Sequence, residues 1–284
     1  MLPFELHTPT SLEEALDLLY RFGSDARPIA GGTALVLFME QRLVQPGHLV
    51  SLNRVAGLDR IETENGTLRV GATVRHRSVE TSETVRRGWP LLAQAYHEVA
   101  TVRIRNAATV GGGLAHADPS MDPPATHVVL NARVQISSKN GTRELPVEQL
   151  FRDYFETTLE PGELITGVTI PRPSPNLRTA YLKFLPRTAD DYPTVGVAVG
   201  LDVANGRCID ARIALNAAGP TTVRATAAEN VLRGQTLTPA LLRDAAATVP
   251  PFTDPTSDHH GSASYKRRMA ETFTRRALEK ALSS

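Results

Sequence analysis

The sequence predicts an α+β fold in three parts: a small α/β unit, a strand-rich α+β subdomain, and a C-terminal domain with a three-stranded antiparallel sheet and helices. Three features predict this arrangement. A short strand turns through glycines into a helix near the N-terminus, Asn-Gly pairs separate alternating segments in the middle, and a proline-rich stretch interrupts the chain at residues 171–175. We therefore predict one domain at residues 1–175, divided into 1–55 and 56–175, and a second at residues 176–284.

The first part consists of a helix followed by a β-α-β unit. Ser11 and Glu14 have the spacing of a capping box, which predicts an amphipathic helix that ends at Gly23. The elements predicted after it are a strand at residues 27–29, a helix at residues 34–45 and a strand at residues 48–52. These elements together predict a compact unit.

The middle part is predicted to contain two hairpins and two helices. Asn65-Gly66 and Asn140-Gly141 favour tight hairpin turns, because Asn and Gly tolerate the positive φ that such turns require. The predicted strands are residues 60–64, 67–72, 133–138, 142–145 and 164–170, and the predicted helices are residues 90–99 and 123–130.

The C-terminal part is predicted to be an antiparallel meander followed by helices. Its strands are residues 179–185, 195–204 and 207–217, with Asn205-Gly206 at one turn, and its helices are residues 224–233, 239–248 and 264–282. A polar loop is predicted at residues 250–262.

Composition argues against several classes of function. The net charge of the 284-residue chain is +1, which indicates neither nucleic acid nor an anionic membrane as a partner. No apolar run of about 18 residues and no signal segment is present, so we predict a cytoplasmic protein without a transmembrane segment. The single cysteine, Cys208, excludes a cysteine-ligated iron–sulfur cluster in this chain, and its strand position predicts a buried, unreactive thiol.

Two glycine motifs are the main indication of function. The first motif is residues 30–33 (Ala-Gly-Gly-Thr), between a strand and a helix, and the second is residues 109–113 (Thr-Val-Gly-Gly-Gly). Glycine lets backbone N–H groups approach an anionic ligand closely and adopt positive φ, and a helix N-terminus favours a pyrophosphate. Neither motif matches a Rossmann or P-loop fingerprint. The pair predicts a dinucleotide held from both sides. The alternative for the first motif is a strand-to-helix turn that needs its glycines only for steric reasons.

The two motifs, with residues 114–119 (Leu-Ala-His-Ala-Asp-Pro) after the second, resemble the paired motifs of the FAD-binding subunits of molybdenum hydroxylases. This family includes the medium subunit of carbon monoxide dehydrogenase and is similar to the flavin domain of xanthine dehydrogenase. The resemblance covers essentially the whole chain. Gly113 departs from the pattern, because many relatives have asparagine or serine there.

The resemblance implies an oxidoreductase subunit that binds FAD noncovalently and transfers electrons. Molybdopterin would lie on a large partner subunit and 2Fe-2S clusters on a small one, and an external acceptor would receive the electrons. We expect three different subunits, duplicated by a two-fold axis.

Four side chains outside the motifs complete the predicted site. Asp122 precedes two prolines and is either a helix cap or a cap that also accepts a ribityl hydroxyl, and the resemblance favours the second. Tyr192 precedes a proline, which holds its backbone extended. It is either a surface residue or a residue that covers one face of the flavin ring, and the resemblance favours the second role. Lys183 and Ile165 match flavin-contacting positions of the relatives; the alternatives are a solvated strand-edge lysine and a core aliphatic residue. The predicted cofactor-binding residues are Ala30, Gly31, Gly32, Thr33, Ala34, Thr109, Val110, Gly111, Gly112, Gly113, Asp122, Ile165, Lys183 and Tyr192.

No metal ligand and no catalytic side chain is predicted. His116, Asp118 and Asp122 superficially resemble a metal site, but the prolines between and after them argue against convergence. His76 is interpreted as a polar turn residue, and the adjacent histidines at residues 259–260 as solvated. This absence is consistent with chemistry that belongs to a cofactor.

Two other functions stay open at this level. One is a stand-alone FAD-dependent oxidoreductase on the same cradle, which would need its own substrate pocket. The other is a non-enzymatic nucleotide-binding or interaction protein, in which the glycine motifs are scaffold turns.

Overall fold

The N-terminal unit is a three-stranded parallel sheet, seen in a computed structural model that describes residues 1–186 and 192–283. Its elements are β1 (Glu5–His7), α1 (Leu12–Phe22), β2 (Ala26–Ile29), α2 (Leu35–Glu40) and β3 (His48–Ser51). β3 lies between β1 and β2 and pairs with both in parallel. The predicted β-α-β unit is therefore present, and β1 is an unpredicted addition. α2 is shorter than predicted, because Arg42 has a positive φ of 62°, which a continuing helix does not allow.

Helix α1 begins and ends as its sequence predicts. The Ser11 hydroxyl accepts a hydrogen bond from the N–H of Glu14 at 3.1 Å, and the Glu14 carboxylate accepts one from the N–H of Thr10 at 2.9 Å. Gly23 ends the helix with a φ of 52° and donates its N–H to the carbonyl of Leu19. The apolar face of α1 packs on β3, with Ala15, Leu16, Leu19 and Val50 all buried.

The middle subdomain is built on a five-stranded antiparallel sheet in the order β4-β5-β10-β6-β7. Both predicted hairpins form, and Asn65 and Gly66 have the expected positive φ of 50° and 77°. The elements are β4 (Ile61–Glu64), β5 (Thr67–Gly71), α3 (His76–Thr81), α4 (Glu83–Gly88), α5 (Pro90–Glu98), α6 (Val102–Ala107), α7 (Val110–His116), α8 (Pro123–Val129), β6 (Arg133–Ser138), β7 (Gly141–Pro146), β8 (Phe151–Asp153), β9 (Glu156–Thr157) and β10 (Leu164–Ile170).

Helices α4, α6 and α7 were not predicted. Each has six or seven residues, which is too short to show a full helical period in the sequence. α4 packs on α3 and α5, α6 packs on α3, and α7 packs on β5 and β10.

The C-terminal domain has the predicted antiparallel meander, extended by a fourth strand of two residues. Its elements are β11 (Leu177–Phe184), β12 (Val195–Ala204), β13 (Arg207–Asn216), β14 (Val223–Arg224), α9 (Thr226–Leu232), α10 (Pro239–Ala247) and α11 (Ala263–Ser283). The predicted polar loop at residues 250–262 opens with a 3-10 turn, Pro250–Phe252. Cys208 is buried as predicted, and burial raises the pKa of its thiol to about 11.

Strand β12 joins the C-terminal sheet to the middle subdomain because its two faces differ. Val197 and Val199 point into the core of the C-terminal domain, whereas Ala198 belongs to the core of the middle subdomain. Gly200 lies so close to α8 that a Cβ there would approach Val129 to 2.8 Å. Small residues on one face therefore let α8 pack directly on the sheet.

Within the described residues, no helix is both long and apolar enough to cross a membrane.

Candidate cofactor site

The fold brings the two glycine motifs next to each other, since the first packs against residues 107–108, directly before the second. Gly31 follows β2 and packs so tightly on the segment between α6 and α7 that a Cβ would overlap the carbonyl oxygen of Ala107. Gly32 has a φ of 69°, a conformation that glycine adopts without strain. The two motifs, distant in sequence, thus form one surface.

Two residues that sequence reasoning missed tie the motifs together. Asn53 donates its side-chain amide to the carbonyl of Ala30 at 3.1 Å and accepts a hydrogen bond from Arg75 at 3.0 Å. Arg75 also donates to the carbonyl of Ala107, beside the second motif. A signal for Asn53 was present, because a polar residue directly after a buried parallel strand lies at the edge where α/β units bind ligands.

The first motif has backbone donors to offer. Within the described residues, the N–H groups of Gly31, Gly32, Thr33 and Ala34 donate no hydrogen bond to the protein. Thr33 is exposed, and Ala34 is the residue from which α2 begins. Unpaired N–H groups of this kind attract an anionic ligand.

The second motif differs from its prediction as a glycine loop. Its glycines lie in α7, and none has a positive φ. Thr109 caps the helix, and its hydroxyl accepts a hydrogen bond from the N–H of Gly112 at 3.2 Å. Three further N–H groups of the helix donate to backbone carbonyls: Val110 to Val74, Gly111 to Ala72 and Gly113 to Thr109.

Close packing on Ala72 explains Gly111, whereas Gly112 lies on the exposed side of the helix. A Cβ on Gly111 would lie 2.6 Å from the Cβ of Ala72, so the inner side has no room. Gly112 is exposed, and a Cβ there would meet one residue within 4 Å, at 2.7 Å from the Thr109 hydroxyl oxygen. The outer side of Gly112 is thus a bare backbone surface that a bulky ligand can approach.

His76 supports this helix from behind and is not the polar turn residue that was predicted. It is buried at 4% exposure, and its Nε2 donates to the carbonyl of Thr109 at 3.0 Å. Burial lowers the pKa of His76 to about 4, with the bond to Thr109 acting in the opposite direction. The ring is therefore a neutral, fixed support for the start of α7.

Asp122 is buried and makes no cap hydrogen bond, so the cap interpretation is wrong. Pro124 removes one of the two N–H groups that a cap at Asp122 could bind, because proline has none. The carboxylate instead accepts hydrogen bonds from the Tyr181 hydroxyl at 2.6 Å and from Lys183 Nζ at 3.0 Å. The Asn216 side chain donates to the Asp122 carbonyl at 2.8 Å.

Lys183 is correspondingly not a solvated lysine at a strand edge. Its side chain is only 3% exposed, and Nζ also donates to the carbonyl of Glu98 at 2.7 Å. Burial raises the pKa of Asp122 to about 6, even though the charge of Lys183 and the bonds from Tyr181 and Lys183 lower it. This network, Asp122 with Tyr181, Lys183 and Asn216, joins the middle subdomain to the C-terminal sheet.

The remaining predicted residues lie in different surroundings. Ile165 is buried in the core of the middle subdomain, and its contact with a flavin stays a prediction. Tyr192 is 48% exposed and precedes β12, and residues 187–191 before it lie outside the described residues. His116 Nε2 is 3.9 Å from the Asp118 carboxylate, but the Asp122 carboxylate binds Lys183 and Tyr181 instead.

Comparison with known proteins identifies the class to which this arrangement belongs. Residues 2–173 match the FAD binding domain in molybdopterin dehydrogenase, and residues 180–281 match the CO dehydrogenase flavoprotein C-terminal domain. The chain therefore belongs to the family of FAD-binding medium subunits of molybdopterin dehydrogenases. FAD is the cofactor of this family, and the predicted resemblance, fold class and oxidoreductase class are confirmed.

Relatives of known activity match along the whole chain. The 6-hydroxypseudooxynicotine dehydrogenase complex subunit alpha of Paenarthrobacter nicotinovorans is 37% identical over 98% of this chain and 94% of its own length. The carbon monoxide dehydrogenase medium chain of Afipia carboxidovorans is 35% identical over 98% of this chain and 96% of its own length.

Solved structures agree with these matches. Carbon monoxide dehydrogenase from Hydrogenophaga pseudoflava superimposes with a TM-score of 0.96 at 36% identity, covering 100% of this chain and 99% of that chain. Quinoline 2-oxidoreductase from Pseudomonas putida 86 superimposes with a TM-score of 0.93 at 35% identity, covering 99% of this chain and 98% of that chain.

Proposed function

We propose that this chain is the flavin-carrying electron relay of a molybdenum hydroxylase, and that it holds FAD across the surface formed by its two glycine motifs. The observation that supports this most strongly is the packing of the first motif against the residues directly before the second, with unpaired N–H groups on the first and an exposed glycine, Gly112, on the second. The fit to FAD is good, because a diphosphate needs donors and the bulk of the cofactor needs an approach without side chains.

The residues of the chain take distinct roles in this proposal. Gly31, Gly32 and Thr33 would donate their N–H groups to the diphosphate, and Gly112 would leave room for the cofactor beside α7. Asp122, held by Lys183 and Tyr181, would accept a ribityl hydroxyl with the lone pairs that these partners leave over. Tyr192 would cover one face of the flavin ring. Bound FAD would accept electrons from an iron–sulfur cluster of a partner subunit and pass them to an external acceptor.

The relay role rests on what the chain lacks as well as on its family. With one cysteine, it cannot supply the four thiolates that an iron–sulfur cluster usually needs. We therefore propose that 2Fe-2S clusters lie on a small partner subunit and molybdopterin on a large one, and that an external acceptor takes the electrons from this chain. The relatives named above belong to enzymes named for different substrates, so the choice of substrate would be made by the large subunit.

The decisive experiment compares the chain alone with the assembled complex. The purified chain should bind one FAD and reduce dyes slowly, with no turnover of a hydroxylase substrate. Adding the cysteine-rich and molybdopterin-binding partners should restore turnover. Substrate-specific turnover by the single chain would contradict the relay role and support a stand-alone flavoenzyme, and a colourless chain that binds no added FAD would contradict the cofactor assignment.

The role of Tyr192 has its own test. Tyr192→Ala should change flavin fluorescence or reoxidation by oxygen more than flavin content, because the diphosphate end would supply most of the affinity. Unchanged spectra and reoxidation rates would identify Tyr192 as a surface residue.

A further inference from the structure

Three side chains with metal-binding groups meet on the N-terminal sheet. Glu5 and His7 are two residues apart on β1 and therefore point to the same face, and His48 of β3 pairs directly with Glu5. His7 and His48 are 41 residues apart in sequence, so no local motif joins them. Among the described residues, Glu5, His7 and His48 are the group whose nitrogen and oxygen atoms all lie within 4.8 Å of one another.

The distances suit a single ion. His7 Nε2 lies 3.1 Å from His48 Nδ1, and the Glu5 carboxylate oxygens lie 3.5 Å from His48 Nδ1 and 3.9 Å from His7 Nε2. Ligand atoms bound tetrahedrally to zinc at about 2.0–2.1 Å are about 3.3 Å apart. A hydrogen bond between the imidazoles is the alternative that a test must separate from shared metal binding.

The imidazoles are already held in place. Phe22, at the end of α1, stacks on His48 with ring centroids 3.7 Å apart and on His7 with centroids 5.1 Å apart. The His7 and His48 side chains are 16% and 20% exposed, whereas Glu5 is 66% exposed and can adjust to an ion. Two ligands fixed by strands and stacking lose little freedom on binding.

We propose that Glu5, His7 and His48 bind one divalent transition-metal ion, with zinc the first candidate. Two imidazoles with one carboxylate favour zinc and its neighbours over magnesium or calcium, which prefer oxygen ligands. Three protein ligands leave a coordination position for water. The ion clamps the edge strand β1 to β3.

The metal site is separate from the candidate cofactor site. His48 pairs with Ala26 at the start of β2, whereas the first glycine motif follows Ile29 at the end of that strand. The two sites are thus about 10 Å apart along the sheet, at about 3.3 Å per residue. Zinc binding should leave the flavin content unchanged.

The test uses the untagged, flavin-loaded protein after treatment with a chelator. Titration with zinc chloride, followed by elemental analysis, should give one tightly bound zinc per chain and a raised melting temperature. His7→Ala should weaken zinc binding by at least about tenfold and remove the rise in melting temperature, since loss of supporting residues alone costs about tenfold or more. His7→Ala and the parent should keep the same flavin-to-protein ratio.

Glu5→Gln and His259→Ala complete the design. Glu5 is exposed, so Glu5→Gln should fold and bind zinc more weakly even if His7→Ala does not fold. His259→Ala is the matched control, because it also removes one histidine, from an adjacent pair with ring centroids 3.9 Å apart, and should bind zinc like the parent. Absence of stoichiometric zinc, or equal zinc affinity in Glu5→Gln, His7→Ala and the parent, would overturn the proposal.

Discussion

The two glycine motifs have a similar composition and use it in opposite ways. In the first motif the backbone N–H groups of Gly31 and Gly32 are unpaired within the described residues, and Gly32 needs its positive φ. In the second motif every N–H from Val110 to Gly113 donates inside the protein, and the glycines are helical. The first motif can therefore donate hydrogen bonds to a ligand, whereas the second can offer only a surface without side chains.

This difference shows that a glycine run has no single meaning. A missing Cβ serves close packing at Gly31 and Gly111, a left-handed turn at Gly32 and open access at Gly112. Substitution should affect stability and flavin content differently at each of these glycines, so single variants can separate the roles.

The largest effect on stability is expected at His76, which lies behind the second motif, and it should be seen as a change in how stability depends on pH. Burial lowers the pKa of His76 in the folded protein to about 4, below the ordinary value of 6.5. Between these two pH values the unfolded chain therefore binds a proton at His76 that the folded protein does not. Stability is therefore unaffected above about pH 6.5 and falls as pH decreases toward 4, by about 3 kcal/mol for this residue. His76→Gln, which can still donate to Thr109, should flatten this pH dependence.

Denaturant unfolding of both proteins across this pH range measures the difference. Burial also lowers the pKa of His127 to about 4 and raises that of Asp122 to about 6, but these contributions are common to both proteins and cancel. Parallel pH profiles for the parent and His76→Gln would show that His76 is not the neutral support inferred here.

A smaller effect on stability is expected at the contact between the motifs. Gly31→Ala places a Cβ against the Ala107 carbonyl, which forces the backbones apart and should cost about 1–3 kcal/mol. Flavin content should fall with it. Gly88→Ala is the matched control, since no neighbouring atom lies within 4 Å of its Cβ position. Equal stability and flavin content in the two variants would argue against tight contact at Gly31.

The cap of the second motif should contribute less. Thr109→Val keeps the shape of the side chain but removes the acceptor for the N–H of Gly112, at a cost of about 1 kcal/mol. Thr109→Ser keeps the acceptor and should stay within about 0.5 kcal/mol of the parent. Chemical denaturation distinguishes the two; identical losses would mean that the hydroxyl does not cap α7.

An effect on folding no larger than that of the lost cap, with a large effect on the cofactor, is expected at Gly112. Gly112→Val places a Cβ within 2.7 Å of the Thr109 hydroxyl oxygen and so displaces it from its cap position, and stability should fall by about 1 kcal/mol, as in Thr109→Val. Flavin occupancy should nevertheless be lost, because the branched side chain occupies the approach to the bare backbone. Full flavin occupancy in a folded Gly112→Val protein would contradict the placement of the cofactor against α7.

Local patterns were sufficient for much of the fold. The capping box at Ser11 and the turns at Asn65-Gly66 and Asn205-Gly206 each act through neighbouring residues, and each prediction is confirmed. Helices α6 and α7 were missed because tertiary packing stabilises segments too short to be helical on their own. The assignment of a loop to the second motif failed for that reason.

The sequence by itself determined the family, the paired glycine motifs and the absence of cluster-binding cysteines, because these depend on residue identity and order. Only the tertiary structure decided which partners each group found. It turned Asp122 from a helix cap into a buried partner of Lys183, placed Asn53 and Arg75 between the motifs, and brought His7 beside His48. Hydrogen bonds and ion pairs form between groups that folding brings within about 3 Å, and a linear sequence does not encode those distances in any local pattern.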